Sequence, residues 1–254
     1  MRPLHPTLLC AFAMTFPLAH GGNGPFLQVG EHARSARGFV PGGWNLDTVV
    51  RGDLDGNGKP DLAMVFWDHS PEADDPRDEE EKQKFPEPPG SHDKVRILAV
   101  ALADSKGYRL VAENDTIIPE WSYWNQADPF EGISIKDGKL SLDLWNFMTF
   151  GSWGMQSAHF EFGWTERALR LSGFRGMNFD RYTHGGTLQT FDAKRGLMVV
   201  CQTDNEVDTA RTMDDLCNPP AKQDTTHFPP GAKIRLQDIL TNGLDYDPAG
   251  GITP

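Results

Sequence analysis

Gly132-Ile133-Ser134-Ile135-Lys136-Asp137-Gly138-Lys139-Leu140-Ser141-Leu142-Asp143-Leu144-Trp145 is the stretch that decides the fold. Ile133 and Ile135 alternate with polar residues, and so do Leu140, Leu142 and Leu144. A period of two puts each set on one face of a strand. Asp-Gly between the two runs is a favoured pair for a two-residue hairpin turn. Residues 132–145 therefore read as a β-hairpin. The same pattern extends in both directions. Downstream, Ala158 to Trp164 carries Phe160 and Phe162, Ala168 to Phe174 carries Leu169 and Leu171, and Thr187 to Phe191 and Leu197 to Cys201 form a further pair. Upstream lie Asn45 to Val50, Val95 to Ala103 and Tyr108 to Ala112. Leu62 to Trp67 is apolar throughout, which fits a strand buried on both faces. Helical signals are short, the best near Leu236 to Leu240. The class is all-β, a series of antiparallel hairpins at short spacing.

Composition agrees. The chain has 254 residues with 26 Gly and 19 Pro, so turns are frequent. A net charge of -12 argues against nucleic acid and against an anionic membrane surface as partners, since both need clustered Lys and Arg. It permits cationic partners and calcium. Residues 68–94 hold much of the acid and several Pro. They read as a solvated, disordered acidic insert, the alternative being a lure for a cationic partner.

Residues 1–20 have the layout of a secretory signal: Arg2, an apolar run from Leu8 to Leu18, then Ala19 and Gly21. Thr7-Leu8-Leu9 before Cys10 disfavours a lipoprotein. No later stretch is long enough for a transmembrane helix. Residues 21–43 read as a lead-in and 44–254 as a single β-rich domain, periplasmic or secreted. Export leaves Cys201 and Cys217, which flank a polar stretch and are expected to form a disulfide.

One motif is specific. Asp53-Leu54-Asp55-Gly56-Asn57-Gly58-Lys59-Pro60-Asp61 places oxygen side chains at loop positions 1, 3, 5 and 9 and Gly at position 6. That spacing wraps a hard cation in oxygens, with the Lys59 carbonyl at position 7. Met64 stands where an EF-hand has its bidentate Glu. The reading is an EF-hand-like calcium loop that leads into a strand, with Asp53, Asp55, Asn57, Lys59 and Asp61 as ligands.

The loop followed by Leu62-Ala63-Met64-Val65-Phe66 resembles the repeat of integrin-type β-propellers, of which one copy is visible. A second resemblance spans Thr48 to about Met198. It rests on Asn114-Asp115-Thr116-Ile117-Ile118-Pro119, Asp128-Pro129-Phe130, the Asp137-Gly138 hairpin, Gly151-Ser152-Trp153-Gly154, Phe160-Glu161-Phe162 and Leu171-Ser172-Gly173-Phe174. These segments are similar to exported calcium-binding immunity proteins of antibacterial secretion systems. The resemblance implies an incomplete β-propeller, no enzymatic activity, and inhibition of a secreted lysozyme-like peptidoglycan hydrolase by a loop placed in its cleft. The Ser-Gly-x-x-Tyr motif of smaller lysozyme inhibitors is absent. Gly151, Ser152 and Trp153 are the nearest match: a hydroxyl for a catalytic carboxylate beside a flat anchor. The opposing reading has Trp153 packed inside and Ser152 turning the chain. Arg181, Tyr182 and His184 form a second candidate loop.

Two other classes compete: a calcium-stabilised carbohydrate-active or carbohydrate-binding envelope protein, and a non-catalytic adhesion or scaffold module. No catalytic motif stands out, and His159 reads as a surface residue on a strand.

Overall fold

Alternation becomes architecture through two antiparallel sheets that share one apolar interior. The computed structural model describes residues 29–68, 79–84, 95–121, 126–148, 152–203, 216–218, 221–231, 233–240, 243 and 246. The signal read at 1–20, the start of the lead-in and most of the acidic insert lie outside the described residues, as does Gly151.

The first sheet contains β1 (His32–Ala33), β2 (Trp44–Gly52), β3 (Asp61–Asp68), β4 (Arg96–Asp104) and β5 (Gly107–Asn114), in the order β1-β5-β4-β3-β2. The second is a seven-stranded meander of β6 (Phe130–Lys136), β7 (Lys139–Phe147), β8 (Gly154–Thr165), β9 (Ala168–Asp180), β10 (Gly186–Asp192), β11 (Leu197–Thr203) and β12 (Lys222–His227). Each stretch read as a strand lies in or overlaps one, and the protein is all-β. Neither sheet closes on itself among the described residues. Of the acidic insert, Glu79–Lys84 forms a short helix, α1. Glu80 and Lys84 stand at i, i+4, a spacing at which opposite charges support a helical turn.

The β6–β7 turn follows its sequence. Lys136 pairs with Lys139, and Asp137 and Gly138 both have positive φ, 50° and 73°. This is the mirror-image turn whose twist matches that of the flanking strands. β8 and β9 are joined in the same way through Glu166 and Arg167, with φ of 49° and 61°.

The interior explains why β3 has no polar alternation. Ala63 and Val65 join Leu98 and Val100 of β4, Leu140, Leu142 and Leu144 of β7, Phe160 and Phe162 of β8 and Leu169 and Leu171 of β9 in the core between the sheets. Leu62, Met64 and Phe66 face the other way, into a second core with Val29, Ala36 and Phe39. Residues 29–39 thus cover the outer face of the first sheet. Fully burying one Leu or Phe side chain is worth about 1.5–3 kcal/mol. Leu142→Ala, at a fully buried position, would cost about 2–5 kcal/mol.

Two polar groups tie this interior together. Arg96 is 2 % exposed. Its guanidinium donates to Asp47 Oδ2 at 3.0 Å and to both Asp128 oxygens at 2.9 and 2.6 Å, so it links β2 and β4 to the start of β6. Asn114, also buried, donates through Nδ2 to the carbonyls of Leu236 and Ile239, each at 2.7 Å. Its Oδ1 accepts from the N–H groups of Thr116 and Ile117 at 2.9 and 2.7 Å. Every amide bonding site is used, and the 3₁₀ helix Leu236–Asp238 is held onto β5.

Candidate functional site

The acidic loop joins β2 to β3 where the two sheets meet. Gly52 lies against Ile135 of β6 so closely that a Cβ would clash with that side chain, and a Cβ placed on Gly138 would lie 4.0 Å from the Asp53 carbonyl oxygen. Gly56 and Gly58 take positive φ of 77° and 78°, which few other residues tolerate. Their conformation wraps the chain around the Asp53 carboxylate. Asp53 Oδ1 accepts from the N–H groups of Gly56 and Asn57 at 2.8 and 3.1 Å, and Oδ2 accepts from Gly58 at 2.8 Å. Asp55 Oδ1 accepts from the Asn57 N–H at 3.1 Å, and Asn57 Oδ1 accepts from the Lys59 N–H at 2.8 Å.

Asp61 is the hub. It is wholly buried, with Oδ2 accepting from the Leu54 N–H and Oδ1 from the Ala103 N–H, both at 2.8 Å. Burial pushes its carboxyl above the usual carboxylate range, Asp55 pushes in the same direction, and the backbone bonds from Ala103 and Leu54 oppose them. Asp53, Asp55 and Asp61 bring ligand oxygens within 4.8 Å of one another. Three carboxylates in that space repel unless a cation offsets them. The donor set is oxygen only, which fits a hard metal ion. Met64 is fully buried in the second core and adds nothing to the loop.

The two candidate interface loops converge. Trp153 is 61 % exposed and Tyr182 is 74 % exposed, and their ring centroids lie 5.9 Å apart. Trp153 therefore projects outward. Gly154 N–H donates to Ser152 Oγ at 3.1 Å, so Ser152 bends the chain and keeps its own hydroxyl proton free to donate. Arg181 braces both loops. Its Nη2 donates to the carbonyls of Ser152 at 2.7 Å and Met148 at 3.2 Å, its Nε donates to the Trp153 carbonyl at 3.2 Å, and its guanidinium lies over Phe147 at 4.5 Å. Asp180 Oδ1 caps the second loop through the N–H groups of Tyr182 and Thr183 at 2.8 and 2.7 Å. The bond from Thr183 is the main reason its carboxyl sits below the usual range. His184 has a φ of 59° and packs edge-on against Phe179 at 6.0 Å rather than beside Tyr182. Sequence reasoning missed Asp180 and Phe147 as supports. Asp180, three residues before Thr183, carried the turn signal that would have found the first.

Cys201 and Cys217 form a disulfide. Leu216 beside it is fully buried and packs with Phe179 and Leu188 on the outer face of the second sheet. Disulfides persist in oxidising compartments, the setting in which the periplasmic or secreted reading places the chain. No helix among the described residues is long and apolar enough to cross a membrane.

No protein-family model matches the chain, and neither the curated proteins nor the solved structures include a similar one.

Proposed function

We propose that this is an exported calcium-binding immunity protein, not an enzyme, that inhibits a secreted lysozyme-like peptidoglycan hydrolase by occluding its cleft. The observation that carries the reading is the convergence of the Ser152–Trp153 and Asp180–Tyr182 loops into one exposed aromatic projection, braced from beneath by Arg181. Large exposed aromatics held rigid are the usual anchors of tight interfaces. Glycan hydrolases need a carboxylic acid in the cleft, and the Ser152 hydroxyl is a donor of the right kind for it.

Calcium is the metal we assign to Asp53, Asp55, Asn57, the Lys59 carbonyl and Asp61. The all-oxygen set and the missing bidentate Glu point to a modest affinity of order micromolar to millimolar, suited to an extracytoplasmic protein. Its role there is structural, since it would neutralise the loop that joins β2 to β3. The kinship with propellers belongs to this proposal too. β2–β5 and β6–β9 are each four-stranded up-and-down units of the size of a propeller blade, though the second continues into β10–β12.

The test is residual activity, on peptidoglycan, of any peptidoglycan hydrolase found encoded beside this protein and of lysozyme-type enzymes, against increasing inhibitor. The wild type should abolish turnover, and the paired Ser152→Ala, Trp153→Ala variant should not. Peptidoglycan turnover by the purified protein alone would favour the carbohydrate-active alternative. Absence of inhibition of that enzyme and of any lysozyme-type enzyme would favour the scaffold.

A further inference from the structure

We infer that the outward face of the seven-stranded sheet carries a second, independent site: a groove that takes a small sugar bearing one carboxylate or phosphate group. The register of three strands builds it. Asp143 of β7 lies opposite His159 of β8, and His159 lies opposite Arg175 of β9. Their neighbours Leu142, Leu144, Ala158, Phe160 and Phe174 are buried in the core, so these three side chains stand on the other face. Directly opposed residues have Cβ atoms about 4.5–5.5 Å apart, close enough for one small ligand to touch neighbours.

The chemistry along this row is directional. Asp143 Oδ1 lies 2.6 Å from His159 Nδ1. That contact commits one ring nitrogen and leaves Nε2 for a ligand. Arg175 is exposed and has no carboxylate partner among the described residues. In a chain of net charge -12, Arg175 is the one guanidinium lining this groove, beside the His159 imidazole and the carboxylates of Asp143 and Glu131. The fork of an Arg matches the two oxygens of a carboxylate or phosphate, and His159, its Nδ1–H donating to Asp143, leaves Nε2 to accept from a sugar hydroxyl.

The surroundings set the rest of the ligand. The groove has a volume of about 640 Å³, within the range of small-molecule sites, and is lined by Trp145 and Met177 as well as Glu131, Asp143, His159 and Arg175. Trp145 offers a flat apolar wall of the kind on which a sugar ring stacks, and Glu131 offers an acceptor for its hydroxyls. A metal ion does not fit here. Among the described residues, the grouping of donors close enough to hold one is Asp53, Asp55 and Asp61, in the loop between β2 and β3.

The experiment titrates the full mature protein with glucuronate, glucose 6-phosphate and glucose, reading the Trp145 indole and His159 imidazole signals by NMR. At least one acid should give saturable shifts at both residues, glucose should give none, and the acid that binds identifies carboxylate or phosphate. Arg175→Ala should raise the dissociation constant at least about tenfold, the scale of one lost charge-assisted bond. Arg175→Lys, which keeps the charge but not the fork, should fall between. Because Arg175 is exposed, both variants should melt with the wild type. The proposal is overturned if neither acid shifts these signals, if glucose binds as well as the acids, or if Arg175→Ala binds unchanged.

Discussion

The indole of Trp153 lies 5.9 Å from the phenol ring of Tyr182, and both rings face solvent although each stands on a different hairpin end. Exposure separates binding from stability here. Trp153→Ala and Tyr182→Ala should each change stability by less than about 0.5 kcal/mol, the usual range for surface positions. Arg181→Ala removes bonds to three backbone carbonyls. It should loosen both loops together, read as faster amide exchange at Gly154 of the first loop and at Tyr182 and Thr183 of the second. If Arg181→Ala leaves exchange unchanged, the brace is not holding the projection.

Calcium should stabilise the folded protein by mass action. At about 100-fold excess over the dissociation constant the gain is roughly 2.7 kcal/mol. For a chain of this size that is a rise of about 5–10 °C in Tm. Asp53→Ala should abolish the rise. Equal melting in chelator and in millimolar calcium would remove the metal from the proposal.

Asp61 should matter even without metal. Its carboxylate is the acceptor for the N–H groups of Leu54 and Ala103. Asp61→Ala leaves both without that acceptor, at about 1–3 kcal/mol for the buried Leu54 N–H and less for the part-buried Ala103 N–H. Asp55→Ala should cost far less in chelator yet still lose the calcium response. Thermal melts of the two variants in chelator check the contrast, and matching melts would contradict a structural role for Asp61.

Strands with one buried face were legible because burial imposes a period of two, as at Leu140, Leu142 and Leu144. β3 was legible for the opposite reason, since both faces of Leu62 to Phe66 are buried. β12, Lys222–His227, is exposed along its whole length and carries no apolar pattern, so its pairing with β11 left no trace in the sequence. β1 is too short, at His32–Ala33, to show any period. The acidic loop was legible because its ligands are close in sequence. The meeting of Trp153 with Tyr182 was not, because the β8–β9 hairpin determines it and the register of that hairpin depends on a bulge at Glu161/Phe162.

Acid should loosen two defined places. Asp180 is held below the usual carboxylate range chiefly by the Thr183 N–H, and Asp238 chiefly by the Arg235 side chain. A depressed folded pKa contributes stability above the unfolded value of about 3.9, and that contribution is lost as pH falls through the folded value. Both carboxylates are therefore stabilising at neutral pH, and their contribution fades below about pH 4. Asp180→Asn should remove the acid response of the Tyr182 loop while leaving that of the Leu236–Asp238 segment. Amide exchange measured between neutral pH and pH 3 separates them, and a wild-type Tyr182 loop equally protected at both ends would contradict the cap.

The last prediction concerns the disulfide. Cys201 and Cys217 are 16 apart in sequence. A closed loop of about that length stabilises by roughly 3 kcal/mol in the chain-entropy model. The bond also positions Leu216 over Phe179 and Leu188 on the outer face of the second sheet. Replacing both cysteines with Ser should therefore lower Tm by about 6–12 °C. It should also increase amide exchange at Leu188 and Phe179, while exchange in β3 and β4 stays protected. Alkylation of protein recovered from the periplasm should find no free thiol at either position. Two alkylated cysteines there, or a double variant that melts with the wild type, would show that Leu216 is held in place without the bond.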